Sequence, residues 1–374
     1  MSFVLNEDEQ MLRDSARAFL NESAPVTALR ALRDEKSPTG FSSELWSSFA
    51  EMGWSGVLVS EDHGGVDMGY AAAGLVLEEM GRTLASSPFL STSVLAATAF
   101  NLAGTDAQKS KWLPKIAAGE TVIAIALDER ARHNPDHIET RAKKDGNGFV
   151  LSGKKRFVNE GAGADLLIVV ARMDDDQLGF FMVDPKADGV SREDRRTVDS
   201  HVPADFSFDD VKLDGDAFLS GADDSDAAYR RLLDAGRACQ AAESLGVAEQ
   251  AFDDTIAYIS EREQFGVPIS SFQGLQHRAA HLLGELELAR SLVRRALTTL
   301  DTQPSQAPLW CVAAKAKATQ VSRLAAAEGI QMHGGVGMTD EYDIGLYYKR
   351  AQAAGEFLGD DAFNAGEVAR MSGY

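Results

Sequence analysis

The chain has little positive charge, few cysteines and no long apolar run, and each shortage excludes a class of protein. Lys and Arg number 37 against 57 Asp and Glu in 374 residues, a formal net charge of −20. That balance argues against nucleic acid or an anionic membrane as the main partner. The two cysteines, Cys239 and Cys311, are far apart and fit no metal or disulfide pattern, so we expect no metal.

The N-terminus also lacks the features of an export signal. It is acidic and amphipathic, without the basic start and apolar core of a signal peptide, and no apolar run approaches membrane-spanning length. Together with the cysteine usage, this predicts a cytoplasmic protein that does not act on a membrane.

The chain divides into three zones by hydrophobic period. Residues 1–120 have the spacing of helices, residues 121–222 alternate with period two around turns such as DGNG, and residues 223–374 contain long helical runs joined by short loops. We predict an N-terminal all-α domain, a middle antiparallel β-barrel and a C-terminal four-helix bundle, an α+β fold. Glu78 and Glu79 are expected on a solvated face of the first domain, and the alternative is that one of them meets Arg82.

Two motifs in the last zone carry chemistry. The segment 261–266 (EREQFG) ends a long helix, and its Arg262 offers a rigid fork of donors that suits a diphosphate. The segment 330–337 (IQMHGGVG) carries the adjacent pair Gly334 and Gly335, which lets the backbone adopt positive φ and approach a ligand.

These motifs, in this order of domains, resemble the acyl-CoA dehydrogenase family across essentially the whole chain. The resemblance implies FAD as cofactor, an acyl-CoA substrate, electron-transfer flavoprotein as acceptor and a dimer or tetramer of like or unlike chains. It also implies cofactor contacts, some of them to a flavin bound mainly by a neighbouring subunit. Those contacts fall on Arg262, Gln264, Phe265, Gln273, Gln331, Gly334 and Gly335.

The β zone departs from the family pattern. The family's Thr-Glu-Pro loop is replaced at 127–135 by LDERARHNP, and its Trp-x-Thr contact to the flavin ring becomes Phe157, Val158 and Asn159. Phe157 can still stack on a ring and Asn159 can still hydrogen-bond, so both remain candidate cofactor contacts. Both also fit ordinary strand positions.

The family's catalytic base is missing from its usual places. Removal of the Cα proton needs a carboxylate, worth about 10²–10⁴ in rate. The family places a Glu before the glycine of the last turn, where this chain has Leu358, or before the conserved arginine of the first bundle helix. Here that arginine, expected to position the substrate, is Arg237, and it follows Gly236.

Glu243 is the candidate base that the helix itself offers. Gly236, Gln240 and Glu243 lie at i, i+4 and i+7 on one helical face, among apolar residues where a carboxylate would be expensive to bury. A Glu paired with a bundle arginine would explain the same pattern. Asp360 and Asp361, near the last turn, are alternatives, and so is a subunit without a base of its own.

The pattern is most similar to the small subunits of heteromeric acyl-CoA dehydrogenases of the pimeloyl-CoA or steroid side-chain type. We therefore expect α,β-dehydrogenation of an acyl-CoA thioester, by this chain alone or as one subunit of such an enzyme. The alternatives are a non-catalytic partner that completes a flavin site, and another flavin reaction, such as that of an oxidase or a desulfinase.

Overall fold

The computed structural model describes residues 5–374, and its regular structure up to residue 120 is helical, as predicted. Capping boxes start two of these helices, at Asn6 with Glu9 and at Thr105 with Gln108. A buried π-helical segment, Phe89–Ala96, leads into the fifth helix. The helices are α1 (Glu7–Ser23), α2 (Val26–Asp34), α3 (Ser43–Glu51), α4 (Gly69–Thr83), α5 (Ala97–Ala103) and α6 (Asp106–Ala117).

The middle of the chain forms one seven-stranded sheet. Its strands are β1 (Ile123–Ala126), β2 (Arg141–Asp145), β3 (Gly148–Val158), β4 (Leu166–Arg172), β5 (Leu178–Val183), β6 (Val190–Asp194) and β7 (Ala204–Leu213). The order is β1-β4-β2-β3-β7-β6, with β5 paired to β4. The hairpin predicted at DGNG joins β2 to β3. Alternate residues of the strands, among them Val169, Phe181 and Phe206, form its core.

The predicted middle β domain is confirmed, but its sheet is mixed and not purely antiparallel. The pairs β2–β3, β3–β7, β4–β5 and β6–β7 are antiparallel, as expected. Strand β1 instead runs parallel to β4, and β2 makes one parallel pair with β4. Period-two alternation reports which face of a strand is buried and not its direction, so the sequence could not distinguish these pairings.

Long helices follow the sheet. They are α7 (Ser225–Glu261), α8 (Gln273–Thr302), α9 (Ala307–His333), α10 (Ile344–Glu356) and α11 (Asp361–Met371), with the two-residue strands β8 (Glu263–Gln264) and β9 (Val267–Pro268) between α7 and α8. The glycine pair after α9 begins a 3₁₀ segment, Gly334–Met338. In the described part of the chain, no helix has both the length and the apolar character that a membrane crossing requires.

By its internal contacts the chain forms two compact units. One contains the chain up to Leu29 with Gly74–Ala85 and Arg237–Tyr374, and the other contains Arg30–Ala73 and Ser86–Gly236. The first holds most of the bundle helices, and the second holds the sheet. These units are not the three predicted domains, whose boundaries at 120/121 and 222/223 stay a prediction.

Within the first unit, α4 and α7 touch backbone to backbone through glycines. A Cβ added to Gly246 would lie 1.8 Å from the carbonyl oxygen of Glu78, and one added to Gly81 would lie 2.2 Å from that of Glu243. Two helices can approach this closely only where one of them has no side chain. The crossing therefore fixes the positions of Glu78 and Glu243 in the helix packing.

Candidate active site

The EREQFG segment forms a tight exposed hairpin at the end of α7. Strands β8 and β9 pair across Phe265 and Gly266, whose φ angles are +55° and +78°. Positive φ at both central residues is the geometry of a two-residue hairpin turn. Phe265 is 93% exposed, and its ring meets that of Phe272 edge to face at 6.1 Å. The hairpin thus presents an aromatic ring to solvent.

The glycine pair lies at the end of α9 with open space beside it. Gly334 has φ +66°, and its amide donates to the carbonyl of Gln331 at the C-terminus of the helix. A Cβ added to Gly334 or Gly335 would meet nothing within 4 Å. A ligand could therefore approach this backbone closely.

The structure brings the two motifs together in one cleft of about 580 Å³. Arg262 and Gln264 line it from one side, and Gly334 and Gly335 line it from the other. These four residues are predicted cofactor contacts, separated by about 70 positions in the sequence. Phe265, Gln273 and Gln331 are exposed nearby and do not line the cleft.

The donor set of the cleft fits a dinucleotide diphosphate. Among residues 5–374 the guanidinium of Arg262 has no hydrogen-bond or ion-pair partner, although the chain carries an excess of acids. An unpaired fork of donors beside an open glycine backbone is suited to phosphate oxygens. The residues present therefore fit FAD.

Sequence reasoning missed an aromatic cluster in the same cleft. Tyr258, one turn before Arg262, stacks on His333 with ring centroids 4.3 Å apart and planes at 20°, and Tyr342 meets both rings at steep angles. All three side chains line the cleft. The spacing of Tyr258 and Arg262 at i and i+4 on one helix was a signal that could have indicated it.

The predicted ring contacts lie in the sheet of the second unit. Phe157 has φ +49°, is 40% exposed and carries the guanidinium of Arg156 over its ring at 5.2 Å. The amide of Phe157 donates to Asp205 at 2.9 Å, and the register of β3 shifts here. The half-buried Asn159 follows the strand. Phe157 is thus held outward at an irregular strand end.

The atypical loop 127–135 is anchored by a buried ion pair. Lys155 Nζ donates to Glu129 at 2.8 Å and to the carbonyl of Leu127 at 2.9 Å, while Glu129 accepts from the amides of Glu139 and Thr140. Burial raises the pKa of Glu129, but Lys155 and Thr140 outweigh it and hold that pKa below its usual range. Burial lowers the pKa of Lys155 despite its partner. Residues 127–135, which differ from the family's Thr-Glu-Pro loop, are therefore held in place by the Lys155–Glu129 ion pair.

Glu243 is buried and engaged by two side chains. Its Oε1 accepts from Arg350 at 2.7 and 2.5 Å, and its Oε2 accepts from Gln240 at 2.9 Å. Gln240 therefore lies on the same face of α7 as Glu243, as predicted. Arg350 belongs to α10, so Glu243 is also paired with an arginine of the bundle. Arg237, one turn earlier, is buried as well.

The alternative carboxylates have structural partners. Asp360 caps α11 by accepting from the amide of Phe363 at 2.7 Å, and Asp361 pairs with Arg323 at 2.7 Å. Leu358, where the family places its base, is fully buried with φ +59°. Asn364 donates to its carbonyl and to the two that follow.

Glu78 and Glu79 are buried, so the prediction of a solvated face is wrong. Glu79 pairs with Arg17 at 2.7 Å, and Glu78 lies 3.4 Å from Arg294. Arg82, three residues after Glu79, lies 3.9 Å from it. Arg17 and Arg294, in contrast, come from distant parts of the chain and have no local sequence signal.

Comparison with known proteins identifies the family. Sequence models of the N-terminal, middle and C-terminal domains of acyl-CoA dehydrogenase match residues 6–120, 125–211 and 226–372. Acyl-CoA dehydrogenase FadE12 of Mycobacterium tuberculosis is 29% identical over 94% of this chain and 92% of its own.

Solved structures agree over the full length. A steroid ACAD variant, Tcur3481-Tcur3483, is 30% identical with a TM-score of 0.89 over 98% of each chain. The ChsE4-ChsE5 complex from Mycobacterium tuberculosis is 25% identical with a TM-score of 0.91 over 100% of each chain. The protein described here belongs to the acyl-CoA dehydrogenase family of FAD-dependent oxidoreductases.

Proposed function

We propose that this chain takes part in the α,β-dehydrogenation of an acyl-CoA thioester to the 2,3-enoyl product. The observation that carries the proposal is the meeting of Arg262 and Gln264 with Gly334 and Gly335 in one cleft. Bound FAD would supply the acceptor for the hydride that leaves Cβ. The test is anaerobic titration with aliphatic, dicarboxylic and steroidal acyl-CoA thioesters. Bleaching of the flavin by one class, in the isolated chain or in its complex with a co-expressed partner, supports the proposal, and no bleaching in either preparation contradicts it.

We assign the cofactor contacts to two groups of residues. The diphosphate group is Arg262, Gln264, Gly334 and Gly335, which share the cleft. The others are exposed or half-buried, as expected of contacts completed by a second subunit. They are Phe265, Gln273 and Gln331 in the first unit and Phe157 and Asn159 in the second.

We propose Glu243 as the base that removes the Cα proton, with Arg237 positioning the substrate. Its carboxylate is buried, and Arg350 and Gln240 hold it in a fixed orientation on the face of α7 that it shares with Gly236. Glu243→Gln should slow flavin reduction by about 10²-fold or more with flavin content unchanged. Rapid-mixing absorbance measures the rate.

Two further variants make that experiment decisive. Asp360→Asn and Asp361→Asn should reduce the flavin at the rate of the unmodified protein, since both groups have structural partners. Normal reduction by Glu243→Gln with slow reduction by either Asp variant would transfer the role to the last turn.

We further propose that the chain is one subunit of a heteromeric enzyme of the pimeloyl-CoA or steroid side-chain type. The support is the absence of an acid at positions 236 and 358, together with the similarity to steroid ACAD and ChsE4-ChsE5 structures. If the chain is a partner without turnover, it will be colourless alone and turn yellow only with its co-expressed partner. Bleaching of the isolated chain by an acyl-CoA would establish turnover without one.

We propose electron-transfer flavoprotein as the electron acceptor. An oxidase would instead reduce oxygen and release hydrogen peroxide, and a desulfinase would release sulfite. Measuring the reduction of electron-transfer flavoprotein, the release of hydrogen peroxide and the release of sulfite in the same reaction distinguishes the three activities. The cytoplasmic location stays a prediction.

A further inference from the structure

His333 has a fixed orientation in the floor of the cleft. It ends α9, is 5% exposed and stacks on Tyr258 at 4.3 Å while Tyr342 meets its ring at 67°. Its Nδ1 lies 2.7 Å from the carbonyl oxygen of Gly329. These contacts on three sides leave the imidazole little freedom to rotate.

The carbonyl of Gly329 decides which ring nitrogen carries hydrogen. A carbonyl oxygen only accepts, so Nδ1 is the donor, and Nε2 of the neutral ring presents a lone pair. Among the residues the structure describes, Nε2 has no hydrogen-bond partner. A phosphate oxygen next to Nε2 would face that lone pair. Contact with an anion there requires a second proton on the ring.

The surroundings contain charges of both signs. Around the cleft, α7 and its end carry Tyr258, Glu261 and Arg262, and the segment before α10 carries Tyr342 and Asp343. Glu328 on α9 is paired with Arg278 of α8, and Lys349 of α10 lines the adjoining cavity. A bound diphosphate would place further negative charge beside Nε2.

We propose that His333 is a proton-linked contact for the diphosphate of the bound dinucleotide. On binding, Nε2 takes up one proton from solvent and donates it in a hydrogen bond to a phosphate oxygen, and on release the proton returns to solvent. This inference rests on the proposed function, which places the FAD diphosphate in this cleft. It goes further because it makes cofactor retention depend on pH through one residue.

The test follows flavin release from the purified holoprotein. Free FAD fluoresces more than protein-bound FAD, so dilution series at about pH 6 and about pH 8 give the dissociation constant at each pH. We expect the dissociation constant to rise about tenfold between about pH 6 and about pH 8, the range in which a histidine side chain changes charge. His333→Gln keeps a donor of similar reach but does not titrate, so its dissociation constant should be the same at both pH values.

Two variants serve as controls. His63→Gln changes a half-buried histidine in the second unit and should keep the tenfold dependence. His333→Phe keeps the aromatic stack and removes both ring nitrogens. Its FAD should be bound more weakly than in the unmodified protein at about pH 6, with a dissociation constant that does not change with pH. This variant tests the proposal independently of whether His333→Gln folds. Thermal unfolding of each variant checks its fold.

The outcomes separate this inference from the proposed function. A dissociation constant of the unmodified protein that is flat with pH, or a pH dependence retained in His333→Gln, overturns the role of His333 and leaves FAD binding intact. Failure of the unmodified protein to bind FAD at either pH overturns the proposed function and this inference with it.

Discussion

At the scale of single residues, the first unit contains a network of charges around three buried carboxylates, those of Glu78, Glu79 and Glu249. Glu79 and Glu249 each have arginine partners within 3.2 Å, whereas Glu78 lies 3.4 Å from Arg294. Breaking one member of a buried ion pair is strongly destabilising, because its partner keeps an uncompensated charge. The network consists of Arg17, Glu78, Glu79, Arg82, Glu249, Asp253, Arg290 and Arg294.

Glu78 should make stability depend on pH. Burial, and then the Glu249 carboxylate, raise the pKa of Glu78 from 4.5 to about 7, against the opposing effect of Arg294. The folded pKa lies above the unfolded one, so the native state binds the proton more tightly. Stability is therefore lost as pH rises from about 4.5 through about 7. Glu78→Gln cannot ionise, so its melting temperature relative to that of the unmodified protein should be higher near pH 8 than near pH 5.

The matched control for Glu78 is an exposed acid. Glu51→Gln, at the end of α3, should shift the melting temperature little and equally at both pH values, because the group is exposed. Scanning calorimetry at the two pH values gives both differences. A Glu78→Gln difference that does not change with pH would show that this carboxyl does not titrate in the folded protein.

At the scale of elements, the crossing of α4 and α7 leaves no room for a methyl group. Gly246→Ala would place a Cβ 1.8 Å from the carbonyl oxygen of Glu78, so the helices must separate. Overpacking of this kind costs about 1–3 kcal/mol and occasionally more, and here backbone has to move, so we expect about 3 kcal/mol of lost stability. Chemical denaturation measures the loss.

Gly284 of α8 is the matched control for that substitution. A Cβ there meets nothing within 4 Å in a helical position, so Gly284→Ala should stabilise by about 0.5–1 kcal/mol through helix propensity and unfolded-state entropy. If the two alanine variants were destabilised equally, backbone contact at the crossing would not be the cause.

The elements were largely predictable from sequence, and their partners were not. Periodicity of 3.6 and of 2 distinguishes helix from strand, and DGNG marks its hairpin, because both signals are local. The parallel pairing of β1 with β4, the burial of Glu78 and the Arg350 partner of Glu243 depend on residues far apart in the chain. Nothing in a local pattern identifies such partners.

At the scale of the whole molecule, the candidate site is assembled by tertiary folding. The arginine of one motif and the glycine pair of the other meet only because the end of α7 lies beside the end of α9. Resemblance to the family predicted these two groups, since their spacing is a family property. Tyr258, His333 and Tyr342 were not predicted as parts of the site, because their role depends on the shape of the cleft. The assignment of Glu243 as the base stays a proposal, because its role depends on where the substrate binds in the folded protein.

Cofactor binding should stabilise the whole folded chain through Arg262. A ligand that binds only the native state stabilises it by about 2.7 kcal/mol at 100 times its dissociation constant. Arg262 has no partner within the described chain, so Arg262→Gln should leave the melting temperature without added FAD nearly unchanged. The increase in melting temperature that FAD produces should be smaller in this variant, since charge-assisted hydrogen bonds contribute about 1.5–3 kcal/mol.

Two further variants serve as controls. Arg262→Lys should recover part of the FAD-dependent increase, because lysine keeps the charge without the fork of donors. Arg370→Gln, an exposed change near the C-terminus, should keep the full increase. An Arg262→Gln protein that FAD stabilises as much as the unmodified protein would place the diphosphate elsewhere.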